Sequence, residues 1–357
     1  MKIEYIFAFF AVLGALDKIF GDRFKLGEEF EKGIMTIGTL VLAISGTMVL
    51  APVLAQGMKF VFTPVAQALG IDLSVMASFL ANDAGGAAMA YELSDDPLLR
   101  AYNGLIVSSM LGATICPVVP LVLSMTKKEQ HSDVLTGLLW GIATIPVGCL
   151  VAGIMMGIPF GSLLLNSLPM ILLAAIICFG LARFPEMTRK IFAIFGAFLG
   201  ILITVGLITG IVAQLTGFEI IPGIASLDET FSVVGHIAVI LAGAFPMLQI
   251  ISRLLKKPLT KLGQLLGVND TAALGFLPTT INVLITFNML DKMDHRGRIM
   301  NMAFAVSAGC MLGDHLAFTM AFDGQYVAPM LVGKLISGLA GLLLAWLFCC
   351  RTCKHSR

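Results

Sequence analysis

The sequence predicts an all-α polytopic membrane protein with about nine transmembrane helices and two further apolar segments that are broken or re-entrant. Composition is the first reason, since 58% of the 357 residues are hydrophobic and only 13% are charged. Soluble domains carry about 25% charged residues. A spanning helix needs about 20 apolar residues, so the chain has room for about ten such segments. We therefore expect residues 1–357 to form one membrane domain.

The apolar segments follow one another along the chain. Nine of them are continuous, and they cover residues 3–20, 33–56, 98–124, 134–157, 160–182, 191–215, 231–255, 298–321 and 326–350. The other two, 64–93 and 258–290, contain Gly, Pro, Asn and Asp residues that interrupt a spanning helix. The first segment has no basic start and no small-residue cleavage site, so we expect a retained helix.

Basic residues predict the orientation, because cytoplasmic loops collect Lys and Arg. Their clusters lie at residues 18–32, 127–128, 183–190, 253–261, 292–298 and 351–357. All of these clusters fall on one side only if 64–93 and 258–290 each enter and leave the membrane on the same side. The pattern predicts nine crossings, two re-entrant hairpins, an outer N-terminus and a cytoplasmic C-terminus, and it leaves Lys59 and Arg100 near the outer face.

A weak internal repeat is consistent with this topology. Residues 33–125 and 231–322 align as span, broken stretch and span, while 134–215 link the halves and 326–350 form the final helix. Matched positions are Pro52 with Pro246, Pro64 with Pro258, and residues 110–112 with 311–313. The two halves then have opposite orientations, which predicts an inverted repeat with interrupted segments meeting near the midplane, where transporters bind substrate.

Two acidic residues lie inside apolar segments. Asp83, next to Asn82, is in the first broken stretch, and Asp314, next to His315, is deep in the predicted span 298–321. A charge at the bilayer centre costs at least about 2.5–3.5 kcal/mol, so a partner, a water-filled cavity or a cationic ligand must offset it. We interpret all four side chains as parts of a substrate site, with a structural ion pair as the alternative.

Short polar residues and one lysine complete the candidate site. Thr280 and Asn282, near the tip of the second broken stretch, either line the site or satisfy backbone groups that the break frees. Lys334 lies eight residues into the last predicted span. It either extends its ammonium group to the surface or neutralises Asp314 or Asp83 when no substrate is bound.

Several other classes of function are disfavoured. The net charge of +1 and the absence of a basic domain argue against nucleic-acid binding, and no cofactor or metal site is expected, since the C-x-x-C at 350–353 supplies only half the ligands of a zinc site. Intramembrane aspartyl proteases use a dyad of two buried aspartates, but the residues next to Asp83 and Asp314 differ from the motifs of that family. A membrane sensor or scaffold subunit stays open.

Long motifs in the chain resemble one known family. They are GEEFEKGIM at 27–35, DAGGAAMAYEL at 83–93, MDHRGRIMNMAFAVSA at 293–308, LGDHLAF at 312–318 and VGKLISG at 332–338. In this order, and over nearly the whole chain, they resemble the ethanolamine-utilisation permease family, EutH. Two positions depart from the family pattern: Asn82 stands where the family has Cys, and Ala317 where it has Gly.

The resemblance implies a bacterial inner-membrane permease, and not an enzyme, that admits protonated ethanolamine for ethanolamine utilisation. A carboxylate binds an ammonium group, and Asn or Thr binds a hydroxyl group. The implied partners are ethanolamine and the lipid bilayer. Coupling to H⁺ or Na⁺, and assembly into a homo-oligomer, are left open.

Overall fold

The protein is a bundle of helices in the computed structural model, which describes residues 3–80 and 85–352. Within these ranges every regular element is a helix, so the predicted all-α class is confirmed. Six helices in the described ranges are long and apolar enough to cross a membrane. They are Leu26–Leu69, Lys128–Met155, Phe160–Arg183, Pro185–Thr216, Leu227–Leu266 and Asp314–Cys350.

Seven α-helices make up the first part of the described chain. They are α1 (Ile3–Ile19), α2 (Leu26–Leu40), α3 (Gly46–Leu69), α4 (Ala77–Leu80), α5 (Gly85–Leu93), α6 (Pro97–Ala101) and α7 (Val119–Met125). A π-helical turn, Val41–Ser45, joins α2 and α3 into one long helix. Two more π-helical segments, Tyr102–Gly112 and Thr114–Val118, lie between α6 and α7. Tyr102–Gly112 is buried along its whole length, so the bundle packs around it on every side.

Nine α-helices follow. They are α8 (His131–Met155), α9 (Phe160–Arg183), α10 (Pro185–Thr216), α11 (Leu227–Leu266), α12 (Asp270–Ile281), α13 (Val283–Phe287), α14 (His295–Ala308), α15 (Asp314–Asp323) and α16 (Val327–Thr352). The predicted helices 160–182 and 326–350 agree with α9 and α16 to within two residues. The second predicted break also occurs, because α12 and α13 are separated at Asn282, whose side chain caps α13.

Three predicted boundaries are wrong. The predicted span 298–321 is two helices, α14 and α15, separated by the non-helical residues 309–313. The predicted spans 33–56 and 231–255 continue further, because Pro64 and Pro258 lie inside α3 and α11 and do not end them. Both long helices end instead at a glycine in the left-handed region, Gly70 or Gly267, a conformation that favours glycine.

Side-chain contacts define the two ends of the bundle. At the end that we call the basic end, Lys127 pairs with Asp291 at 3.1 Å and Arg298 pairs with Asp133 at 2.8 Å. The Lys127 ammonium holds the pKa of the Asp291 carboxyl below its usual range. At the other end, which we call the acidic end, the contacts are Tyr91 with Asp323 (2.8 Å), Tyr326 with Pro97 (3.3 Å) and Asp72 with Asn166 (2.6 Å).

The two interrupted stretches are attached at opposite ends. The stretch between α11 and α14 starts and finishes at the basic end, where Asn269 donates to the Asp294 carboxylate and to the Lys292 carbonyl. The stretch between α3 and α6 starts and finishes at the acidic end, where the Asp72 carboxylate accepts a 2.7 Å hydrogen bond from the Ser94 hydroxyl. Each stretch therefore has both of its roots on one side of the bundle.

Glycines allow the long helices to approach closely. A Cβ atom added to Gly206 of α10 would lie 2.1 Å from the Gly46 carbonyl oxygen of α3. A Cβ atom added to Gly148 of α8 would lie 2.2 Å from the Gly333 carbonyl oxygen of α16. Helices in lipid associate through such close packing of small residues, because lipid tails are as apolar as the side chains themselves.

The contact between α3 and α10 gives a matched pair of substitutions. Gly206→Ala should lower the thermal midpoint of the protein in detergent, because overpacking costs about 1–3 kcal/mol. Gly200→Ala is the control in the same helix, since a Cβ there meets nothing within 4 Å and Ala favours the helix by about 1 kcal/mol. Equal midpoints for the two variants would contradict the packing.

Candidate functional site

Two helix breaks meet inside the bundle, and we call residues 278–283 together with 309–315 the crossing. The Cys310 N–H donates to the Thr279 carbonyl at 3.0 Å, and the Leu312 N–H donates to the Thr280 carbonyl at 2.7 Å. A helix end leaves carbonyl groups without intrahelical partners, and a lipid environment has no water to satisfy them. At the crossing, the end of α12 and the non-helical residues after α14 satisfy each other.

Close backbone approach at the crossing requires a small residue. A Cβ atom added to Gly313 would lie 2.1 Å from the Ile281 carbonyl oxygen. Cys310 has φ 55, a left-handed conformation that few residues other than glycine adopt, and its carbonyl accepts from the N–H groups of Gly313 and His315. These contacts fix the direction in which α15 leaves the crossing.

Asp314 is placed differently from the sequence prediction. It is half-buried and is the first residue of α15, whereas the sequence predicted the interior of an uninterrupted helix. The interruption changes its electrostatics, because the start of a helix carries a partial positive charge that favours a carboxylate. The ends of α12 and α14, which carry partial negative charge, meet at the same crossing.

His315 is buried and lines a small cavity of about 50 Å³ beside the crossing. Its wall includes Val283 and Gly309, one from each break, and Ala113 from the π-helical region. The cavity therefore places Ala113 of the π-helical region beside His315.

The predicted polar residues make local hydrogen bonds. The Thr280 hydroxyl donates to the Leu277 carbonyl at 2.7 Å, and the Asn282 side-chain oxygen accepts from the Leu284 N–H at 2.9 Å. The Asn282 bond satisfies a backbone N–H group that the break frees, whereas the Thr280 bond lies within α12. A substrate contact from Thr280 or Asn282 stays a prediction, and Asn82 and Asp83 lie outside the described residues.

Lys334 does not extend to the surface. The residue is 0% exposed on α16, and its ammonium group donates a 2.6 Å hydrogen bond to the carbonyl of Ser109. Ser109 belongs to the buried segment Tyr102–Gly112, and π-helical geometry is frequent at functional sites. Ser109 was not predicted from the sequence, because a main-chain carbonyl has no side-chain signature; the serine pair 108–109 inside an apolar run is the signal that could have indicated it.

A larger cavity lies between the crossing and the basic end. It has a volume of about 340 Å³, and α11 and α12 form most of its wall. Pro278 and Ile281 line it at the crossing, while Glu29 and Lys256 line it at the polar rim. The crossing therefore has an amphipathic hollow on its basic side.

The comparison with known proteins decides the family. The chain matches the family described as Ethanolamine utilisation protein, EutH, over residues 2–348. It belongs to the EutH family.

Curated relatives agree with this assignment. A protein of Listeria monocytogenes serotype 1/2a (strain 10403S), named Probable ethanolamine permease EutH, is 46% identical over 341 residues, which are 95% of this chain and 91% of the relative. A protein of the same name from Salmonella typhimurium (strain LT2) is 37% identical over 382 residues, covering 96% and 94%. Bacillus subtilis (strain 168) has a relative named Uncharacterized protein YxeR that is 35% identical, covering 99% and 96%. No solved structure matches the chain.

Among the described residues, two of the five motifs quoted above contain residues of the crossing or of the candidate site. The motif at 312–318 ends the second break and begins α15, and the motif at 332–338 carries Lys334 on α16. The motif at 293–308 covers α14, which ends at the crossing, and the motif at 27–35 lies in α2. The motif at 83–93 begins outside the described residues and continues as α5.

The crossing predicts the effect of a single methyl group. Gly313→Ala should push the second break away from the Ile281 carbonyl oxygen, so the amide protons of Cys310 and Leu312 should exchange with deuterium faster than in the wild type. Gly324→Ala, at the other end of α15, is the control because a Cβ there meets nothing within 4 Å. Unchanged exchange at both amides in Gly313→Ala would contradict the described geometry.

Proposed function

We propose that this EutH-family protein is a permease that admits ethanolamine in its ammonium form for ethanolamine utilisation. Membership of the family and the name ethanolamine permease carried by relatives support the substrate. Six long apolar helices in the described ranges support a multi-pass membrane protein, and the permease names of the relatives point to a transporter rather than an enzyme. The single observation that carries the proposed mechanism is the crossing of two interrupted segments inside the bundle.

The ammonium form is the species that needs a protein. Ethanolamine is a small primary amine, similar in basicity to the lysine side chain with its pKa of about 10.4. Its neutral form crosses lipid unaided, but each unit of acidification reduces that form about tenfold. A pathway for the cation therefore matters most under acidic conditions.

In the proposed site, the carboxylate of Asp314 binds the ammonium group, and His315, Thr280 and Asn282 are candidates for the hydroxyl group. Asp83 and Asn82 would add a second carboxylate and an amide from the other broken stretch. The partial negative ends of α12 and α14 add attraction for a cation. Selectivity arises because a substrate must satisfy both polar groups at the right separation.

We further propose nine crossings, two re-entrant hairpins, and an inverted repeat of residues 33–125 and 231–322. The attachment of the two broken stretches at opposite ends supports this topology. The charge rule assigns the basic end to the cytoplasm of a bacterial cell, with the N-terminus outside the inner membrane and the C-terminus inside. The cavity of about 340 Å³ would then open from the site toward the cytoplasm.

Uptake into vesicles tests the permease and its site together. Proteoliposomes that contain the wild type should accumulate labelled ethanolamine at mildly acidic pH, with or without an imposed H⁺ or Na⁺ gradient according to the coupling. Asp314→Asn should slow uptake about 10- to 100-fold, because hydrogen bonds to a charged group contribute about 1.5–3 kcal/mol. Asp291→Asn is the control, since its carboxylate pairs with Lys127 at the basic end.

Two results would contradict the proposal. Full uptake by Asp314→Asn would exclude this carboxylate from the site. Binding of ethanolamine by the wild type without any flux would favour the membrane sensor or scaffold subunit.

A further inference from the structure

The structure places a primary ammonium group inside the bundle. Lys334 is 0% exposed, and its Nζ atom lies 2.6 Å from the Ser109 carbonyl oxygen. Moving a lysine to the centre of a bilayer costs at least about 2.5 kcal/mol on insertion scales, and such residues mark substrate or ion pathways.

Lys334 and Asp314 lie at similar depth. Lys334 comes seven residues after the start of α16, about 10 Å along the helix axis. Asp314 comes nine residues before the end of α15, about 14 Å from the same end of the bundle. A single 3₁₀ turn, Gly324–Tyr326, joins these two helices, which pack against each other.

The buried lysine and the proposed substrate carry the same functional group. Each presents a primary ammonium with three N–H donors on a flexible carbon chain. A cluster of carbonyl and carboxylate oxygens that binds one of them therefore suits the other. We infer that Lys334 is an internal substitute for the substrate, which occupies the ammonium subsite of the empty permease and is displaced when ethanolammonium binds. This inference rests on the proposed function.

An alternative position for the displaced group is available on the same helix. Ser337 lies three residues after Lys334, on the same face of α16, and its hydroxyl is 2.6 Å from the hydroxyl of Ser307 on α14. These two hydroxyl oxygens can accept hydrogen bonds from the ammonium group once the substrate has taken its place.

The position of Lys334 in the ammonium subsite explains how the empty permease can turn its site from one side of the membrane to the other. Without a cation, a carboxylate would remain uncompensated at mid-membrane, and the barrier to reorienting the empty permease would rise. With Lys334 in the subsite, the lysine compensates the carboxylate in the empty form, as the substrate does in the loaded form. Lys334 is then needed for the return of the empty form and not for the passage of the loaded form.

Net uptake and exchange separate these two steps. Net uptake into empty vesicles requires the empty permease to return, whereas exchange into vesicles preloaded with unlabelled ethanolamine requires only the loaded form. Lys334→Met should slow net uptake at least about tenfold and leave exchange within about twofold of the wild type. Lys334→Gln should behave in the same way, because it removes the charge but keeps a donor for the Ser109 carbonyl. Lys59→Met, which removes an exposed lysine from α3, should change neither rate.

The outcomes are distinct. Retained exchange in either Lys334 variant also shows that the variant is folded. Equal loss of exchange and net uptake in both variants would overturn the inference, because Lys334 would then be needed by the loaded form or by the fold. Unchanged net uptake in both variants would also overturn it. A wild type that is inactive in both assays would instead overturn the proposed function and, with it, this inference.

Discussion

The main constraint on this fold is that backbone polar groups inside a hydrocarbon layer need partners within the protein. Continuous helices meet that requirement locally, but α12 and α14 both end inside the bundle. The Thr279 and Thr280 carbonyls at the end of α12 accept hydrogen bonds from the N–H groups of Cys310 and Leu312, which follow α14. Each unsatisfied group would cost several kcal/mol, so this pairing stabilises both breaks. The start of α15, the position of Asp314 and the cavity beside His315 all follow from this pairing.

The hydropathy pattern alone predicted the helices whose backbone hydrogen bonds are made within the helix. The predicted limits of α9 and α16 agree closely with the structure, since a long apolar run with polar ends has one simple solution in a membrane. The break at 309–313 was not predicted, because its residues are as apolar as the helices that flank it. Its cause is a pair of hydrogen bonds to residues about thirty positions earlier, and a local pattern carries no information about such partners. Pro64 and Pro258 gave the opposite error. The sequence predicted that the helix is interrupted near each of them, but both lie inside long helices.

The candidate site was predictable where it depends on side-chain charge. Three ionisable residues in apolar segments were predicted as site residues from the sequence: Asp314, His315 and Lys334. The structure places them in or beside helices that meet at the crossing. The direction of the Lys334 side chain was not predictable, because it depends on the neighbouring π-helical segment. Ser109 contributes its main-chain carbonyl oxygen, which the sequence does not indicate either. Thr280 and Asn282 were predicted as either structural or functional; the Thr280 hydroxyl bonds within α12, the Asn282 side chain caps α13, and a substrate contact stays a prediction.

The length of α11 connects this site to the surrounding membrane. At 40 residues it measures about 60 Å, whereas the hydrocarbon layer is about 30 Å thick. The turns that carry Arg253, Lys256, Lys257 and Lys261 are polar, so the helix extends beyond the apolar layer at the basic end. Because α11 packs directly on α12, one wall of the crossing is built on a helix that reaches from the membrane interior into the aqueous phase.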